Sequence, residues 1–144
     1  MRAALALLGI LLCAFAQASD FRSVQETAAV LYDAPSRAAK PLVVVSKHYP
    51  LELIVNLEAW VKVRDHTGAL AWIEKKYLSE KRMLMVTAPT AEVRARPEEG
   101  APQAFVAVSG VALELVEIAP GGWLRVRHAD GAGGYLRATQ VWGG

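Results

Sequence analysis

Residues 51–78 read L-E-L-I-V-N-L-E-A-W-V-K-V-R-D-H-T-G-A-L-A-W-I-E-K-K-Y-L, and this stretch decides the fold. Leu51, Leu53 and Val55 alternate with Glu52, Ile54 and Asn56, the period-2 pattern of a half-buried strand. A second alternating run starts at Trp60, with Val61 and Val63 on one side and Trp60, Lys62 and Arg64 on the other. His66-Thr67-Gly68 interrupts it, and alternation resumes from Ala69 to Glu74. A three-residue hairpin loop takes two right-handed residues and then a left-handed one, usually Gly. Gly68 stands in that third place. The register follows: Asp65 opposite Ala69, Arg64 opposite Leu70, Val63 opposite Ala71, Lys62 opposite Trp72 and Val61 opposite Ile73. Val61, Val63, Ala71 and Ile73 then share one apolar face, with Lys62 and Trp72 on the other. A slip of one residue would undo this sorting.

The unit recurs. Shifted by 63 residues, Trp60-Val61-Lys62-Val63-Arg64 becomes Trp123-Leu124-Arg125-Val126-Arg127, Gly68-Ala69 becomes Gly131-Ala132, and Trp72-Ile73 becomes Tyr135-Leu136. The L-E-L at Leu51 recurs at Leu113, one residue out of step, so a single insertion lies between. Such self-similarity marks two copies of one small domain.

The N-terminus reads as a secretory signal peptide over residues 1–18: a charged Arg2, an apolar run from Ala3 to Ala16, and the small-x-small site Ala16-Gln17-Ala18. The run is too short to span a bilayer comfortably. Cys13, the only cysteine, lies inside the run and follows Leu12 rather than the small residue a lipid anchor needs. The mature chain from Ser19 therefore carries no disulfide despite an exported destination. The full chain has net charge +2, and removing Arg2 leaves a balance that recommends neither nucleic acid nor an acidic lipid surface. No stable membrane insertion is expected after cleavage. Two domains of about 60 residues are each marginal alone, so mutual packing is expected.

Along the chain, Phe21 to Gln25 reads as a first strand or lead-in, and Ala28 to Tyr32 is a short apolar run ending in Asp33-Ala34-Pro35. Ser36 to Lys40 is a polar loop bracketed by Pro35 and Pro41, and Leu42 to Ser46 a buried strand. Glu74 to Leu78 suits one turn of helix. Ser79 to Arg82 is a short polar linker between the copies. The second copy repeats this order, with strands at Ala91 to Ala95, Ala104 to Val108 and Leu113 to Ile118, the Trp123 hairpin, and a terminal turn at Ala138 to Gln140. No segment shows a long helical period. Five or six short strands per copy point to small barrels.

This order, with Tyr49-Pro50, Trp60-Val61-Lys62-Val63-Arg64-Asp65, Gly68, Trp72, Leu78-Ser79 and the closing Val141-Trp142-Gly143, resembles the bacterial Src-homology-3 domain family. The resemblance covers essentially all of the mature chain and is close to secreted bacterial proteins with two tandem domains. It implies an all-β fold of two Src-homology-3-like barrels, at 19–80 and 81–144. It also implies ligand recognition rather than catalysis, in the periplasm or outside the cell, with peptidoglycan or a cell-wall peptide as ligand. The alternative is a protein-protein adaptor holding a cell-envelope protein. The family's loop glycine is missing from Ala29 to Pro35 and from Glu92 to Pro97.

No enzyme constellation emerges. The mature chain has no cysteine nucleophile, and His48, His66 and His128 read as solvated residues in or beside turns. They lack metal-ligand spacing. No carboxylate pair suggests acid-base work. No cofactor and no metal is expected. Gly131-Ala132-Gly133-Gly134 opens no helix and so is not a phosphate cradle. Lys75-Lys76 and Lys81-Arg82 read as solvated surface. The aromatic residues carry the functional reading. Trp60 and Trp72 share a face with Lys62, and Trp123 and Tyr135 with Arg125, opposite the apolar stripe. The pairs Lys62/Trp72 and Arg125/Tyr135 suit cation–π contact. These six, with Tyr32 flanking the first set, are the candidate ligand-binding residues. The same rings alternatively cover a barrel end or the seam between domains.

Overall fold

The computed structural model describes residues 19–144. The expected signal peptide, with Cys13 and the expected cleavage after Ala18, lies outside the described residues. Seven strands make the first half: β1 (Phe21–Val24), β2 (Ala28–Tyr32), β3 (Pro41–Ser46), β4 (Pro50–Asn56), β5 (Trp60–Arg64), β6 (Leu70–Glu74) and β7 (Leu78–Ser79). The second half repeats them as β8 (Met83–Val86), β9 (Thr90–Arg94), β10 (Gln103–Val108), β11 (Ala112–Ala119), β12 (Trp123–Arg127), β13 (Gly133–Arg137) and β14 (Val141–Trp142). One 3-10 turn precedes the last strand of each half, at Lys75–Tyr77 and Ala138–Gln140. Each half is one antiparallel sheet, ordered β3-β2-β6-β5-β4-β1-β7 and β10-β9-β13-β12-β11-β8-β14. The expected five or six strands become seven because β7 and β14, two residues each, add to β1 and β8.

The hairpin register is the expected one: Arg64 pairs with Leu70, Val63 with Ala71, Lys62 with Trp72 and Val61 with Ile73. Asp65 N–H donates to the Ala69 carbonyl at 3.0 Å, and Gly68 closes the loop at φ 88°. The second hairpin repeats it, pairing Leu124 with Leu136 and Arg125 with Tyr135. The inserted residue is now located. Val55 pairs with Lys62 as Glu117 pairs with Arg125, so the copies stay in step to the strand ends. The next turn is Glu58-Ala59 in the first copy and Pro120-Gly121-Gly122 in the second.

The inward stripe builds each core. Leu31, Leu51, Val61, Val63 and Ile73 fill the first, and Leu84, Val93, Leu113, Leu124, Val126 and Leu136 the second. The reading of Leu42 to Ser46 as buried needs correction. Val44 is 63% exposed and Leu42 48%, while Val45 alone is buried, at 4%. β3 is the sheet's end strand, bonded to β2 only, so a run of apolar residues there meets water. The linker also shortens, because Ser79 pairs with Ser23 inside the first sheet.

The two halves pack together. Phe21, Met83 and Met85 are buried, yet none belongs to either core. Phe21 meets Trp142 edge-on at 5.2 Å, and the Arg82 guanidinium lies 5.1 Å from the Phe21 ring centre. Ser23 Oγ donates to the Lys81 carbonyl at 2.8 Å. Buried serine hydroxyls need such a partner.

Candidate functional site

In the first barrel, strand pairing gathers four of the candidates. Tyr32 at the end of β2 pairs with Trp72 on β6, and Trp72 pairs with Lys62 on β5. Tyr32 also meets Trp60 edge-on, with ring centres 5.7 Å apart at 78°. All four side chains are half-buried. They face outward because Val61, Val63, Ala71 and Ile73 hold the inward positions of the same strands. Beside them is a cavity of about 370 Å³ lined by Glu26, Val30, Tyr32, Arg37, Glu74 and Tyr77.

Arg37 was not among the candidates. It reaches from the loop after β2, and its Nε donates to Glu74 Oε1 at 3.0 Å. The pair pushes the Arg37 guanidinium further above its ordinary value.

The second barrel departs from this arrangement. Trp123 is buried, at 6% exposure. The Arg137 guanidinium stacks on it, 4.1 Å from the ring centre. Arg137 Nε donates to Glu99 Oε1 at 3.0 Å, and its NH1 donates to the Gly121 carbonyl at 2.9 Å. The Arg137 ion pair holds the Glu99 carboxyl below its ordinary value. Trp123 is therefore not an open ligand-facing ring. Arg125 and Tyr135 remain together, lining a cavity of about 430 Å³ with Arg127, Val116 and Gly133.

The suggested cation–π pairs are also corrected. Lys62/Trp72 and Arg125/Tyr135 are cross-strand neighbours, but among the described residues the ring-cation contacts are Arg137 on Trp123, Arg82 on Phe21 and Lys76 on Tyr77. Lys62 and Arg125 sit in mid-strand, whereas Arg137, also the cross-strand partner of its ring, ends β13 and is held over Trp123 by Glu99 and the Gly121 carbonyl.

Comparing the copies position by position shows what the sequence reading missed. Trp60 pairs with Glu74 where Trp123 pairs with Arg137. The loop hydrogen bonds Ser36 N–H to Ala34 O and Ala39 N–H to Ser36 O recur as Glu98 N–H to Arg96 O and Ala101 N–H to Glu98 O. That places Arg37 in register with Glu99. The same ion pair thus exists in both barrels with its charges reversed. A 62-residue shift applied to the loops would have revealed it.

The aromatic seam is formed by other rings. Tyr49 Oη lies 3.3 Å from His66 Nδ1, and His66 packs between Tyr49 and Trp142 at 5.8 and 6.5 Å. His48 and His128, from different barrels, line one small crevice with Lys81 and Glu114. All three histidines are half-buried rather than solvated. Among the described residues, no group of three or more His, Cys, Asp or Glu is placed to hold a metal.

The profile of the bacterial SH3 domain matches residues 25–80 and again residues 87–143. The chain belongs to the bacterial SH3 domain family. No curated protein sequence matches it. Solved structures similar to this tandem include NlpC1 from Trichomonas vaginalis, at 16% identity and TM-score 0.41, covering 94% of this chain and 50% of that one. NlpC2 from Trichomonas vaginalis is similar at 15% identity and TM-score 0.40, covering 87% and 48%. An NlpC/P60 family protein from Bacillus cereus is similar at 17% identity and TM-score 0.40, covering 84% and 55%. The bacterial SH3 tandem thus spans about half the length of these chains. Among its described residues, no helix is long and apolar enough to cross a membrane.

Proposed function

We propose that this bacterial SH3 tandem is a non-catalytic binding module of the bacterial cell envelope, and that its ligand is peptidoglycan or a cell-wall peptide. It acts in the periplasm or outside the cell. The observation that carries the reading is the open face of the first barrel, where Tyr32, Trp60 and Trp72 stand beside Lys62 next to a cavity of about 370 Å³. Rings accept the apolar parts of a peptide or sugar, and a neighbouring cation accepts a carboxylate. Arg125, Arg127 and Tyr135 give the second barrel a basic site of its own. Two sites on one short connection favour a repetitive polymer by raising effective concentration.

Co-sedimentation of the chain from Ser19 onward with intact sacculi tests this. Binding should fall about tenfold in Trp60→Ala, the loss of roughly 1.4 kcal/mol of contact. The adaptor reading draws support from Leu42, Val43 and Val44, exposed on the unpaired edge of β3. Such an edge can accept an added strand. Absent sedimentation, with one protein crosslinked specifically from envelope extract, selects the adaptor.

A further inference from the structure

The two barrels differ most where they are otherwise superimposable in register. In the second, Trp123 carries a guanidinium, that of Arg137, held from the side by the Glu99 carboxylate and by the Gly121 carbonyl. In the first, the residue paired with the tryptophan is Glu74. The ring is present, a carboxylate stands where the cation was rooted, and Trp60 is half-buried where Trp123 is buried. The Gly121 turn is replaced by the shorter Glu58-Ala59 turn, and Glu58 and Glu74 line a common groove of about 330 Å³. Arg37 occupies only Glu74 Oε1. Among the described residues, Glu74 Oε2 accepts no side-chain hydrogen bond. Lys75 and Lys76 also line this groove, and Lys76 is turned onto the Tyr77 ring, 5.2 Å away.

We propose that the first barrel takes an organic cation of its ligand, a guanidinium or ammonium group, on the Trp60 ring beside Glu74, in the way that Arg137 sits on Trp123. The second barrel is occupied at this position by its own chain. The physical warrant is that an aromatic face and a carboxylate together attract a cation more strongly than either does alone. Lys62 lies two residues along β5 on the same face, about 7 Å from Trp60 at the usual strand rise. A ligand carrying both an amine and a carboxylate therefore spans the two. This assignment rests on the cell-wall reading and names the ligand group that the first barrel holds.

The test titrates N-acetyl-arginine amide and, separately, lysine amide into the isotope-labelled chain from Ser19 onward. The indole N–H resonance of Trp60 should move saturably with at least one probe, while that of Trp123 stays fixed. Glu74→Gln should weaken binding roughly tenfold, the loss of a charge-assisted contact. The double variant Arg37→Glu with Glu74→Arg gives the first barrel the charges of the second and should abolish the response. Unchanged resonances elsewhere report that the fold is intact. No Trp60 response to either probe, or an undiminished response in the double variant, overturns the proposal. Sacculus binding that depends on Trp60 without any probe response leaves the cell-wall reading standing and removes the cation. A probe response without sacculus binding does the reverse.

Discussion

Gly68 sits at φ 88° and Gly131 at φ 94°, and a Cβ at either would meet nothing within 4 Å. Substitution there costs backbone strain alone, on the order of 1–3 kcal/mol. Gly134 has an ordinary φ, but a Cβ would lie 2.5 Å from the Arg94 carbonyl oxygen and 2.7 Å from Val93 Cγ1. Thermal melts should therefore rank Gly134→Val as more damaging than Gly68→Val or Gly131→Val. The two tryptophans should separate as clearly. Trp123→Ala removes a buried ring and its cation, and should cost about 3–5 kcal/mol in urea unfolding. Trp60→Ala, at a half-buried position, should cost less than half of that and act mainly on binding.

β3 tests the edge-strand assignment at the scale of one element. Val44 points to water and Val45 into the first core. Val44→Lys should change stability by no more than about 0.5 kcal/mol. Val45→Lys, which buries a charge without a partner, should leave the first barrel unfolded by circular dichroism. Equal effects of the two would return the strand to the interior. The charge-reversed ion pairs belong to this scale too. Each ties a loop to the end of β6 or β13, and the loop partners, Arg37 and Glu99, are exposed, so solvent screens both pairs. Their value lies in which charge faces the neighbouring ring.

Across the whole molecule, the seam of Phe21, Trp142, Met83 and Met85 joins two barrels of about 60 residues, each marginal by itself. Calorimetry of the intact chain should show one cooperative transition. Phe21→Ala combined with Trp142→Ala should split it into two and lower both. The seam also carries a pH dependence. Burial, then Lys81 and Lys47, lower the His48 pKa from 6.5, while Glu114 opposes them. The folded state thus holds this proton less tightly than the unfolded chain does. Stability is full above the unfolded value and falls as pH drops through it. His48 has φ 74°, a conformation that Asn tolerates. His48→Asn should keep the fold and lose less melting temperature between about pH 7.5 and about pH 5.5 than the unaltered chain does.

Local pattern was enough for the strands, the hairpin register and the doubling of the domain. Alternation, a glycine in the third loop position and a repeat are properties of neighbouring residues, and each is written in order along the chain. Burial of β3 was not legible, because an apolar run looks the same at the edge of a sheet as at its centre. Only the strand order decides which side of it meets another strand. The same limit applied to the rings. Trp60 and Trp123 occupy one repeat position and look equivalent in sequence. Whether such a ring is open depends on a residue 14 positions later, Glu74 or Arg137, brought opposite it by the hairpin. The aromatic seam is likewise tertiary. Phe21 and Trp142 stand at opposite ends of the described chain, and they touch only because the barrels pack with β1 against β14.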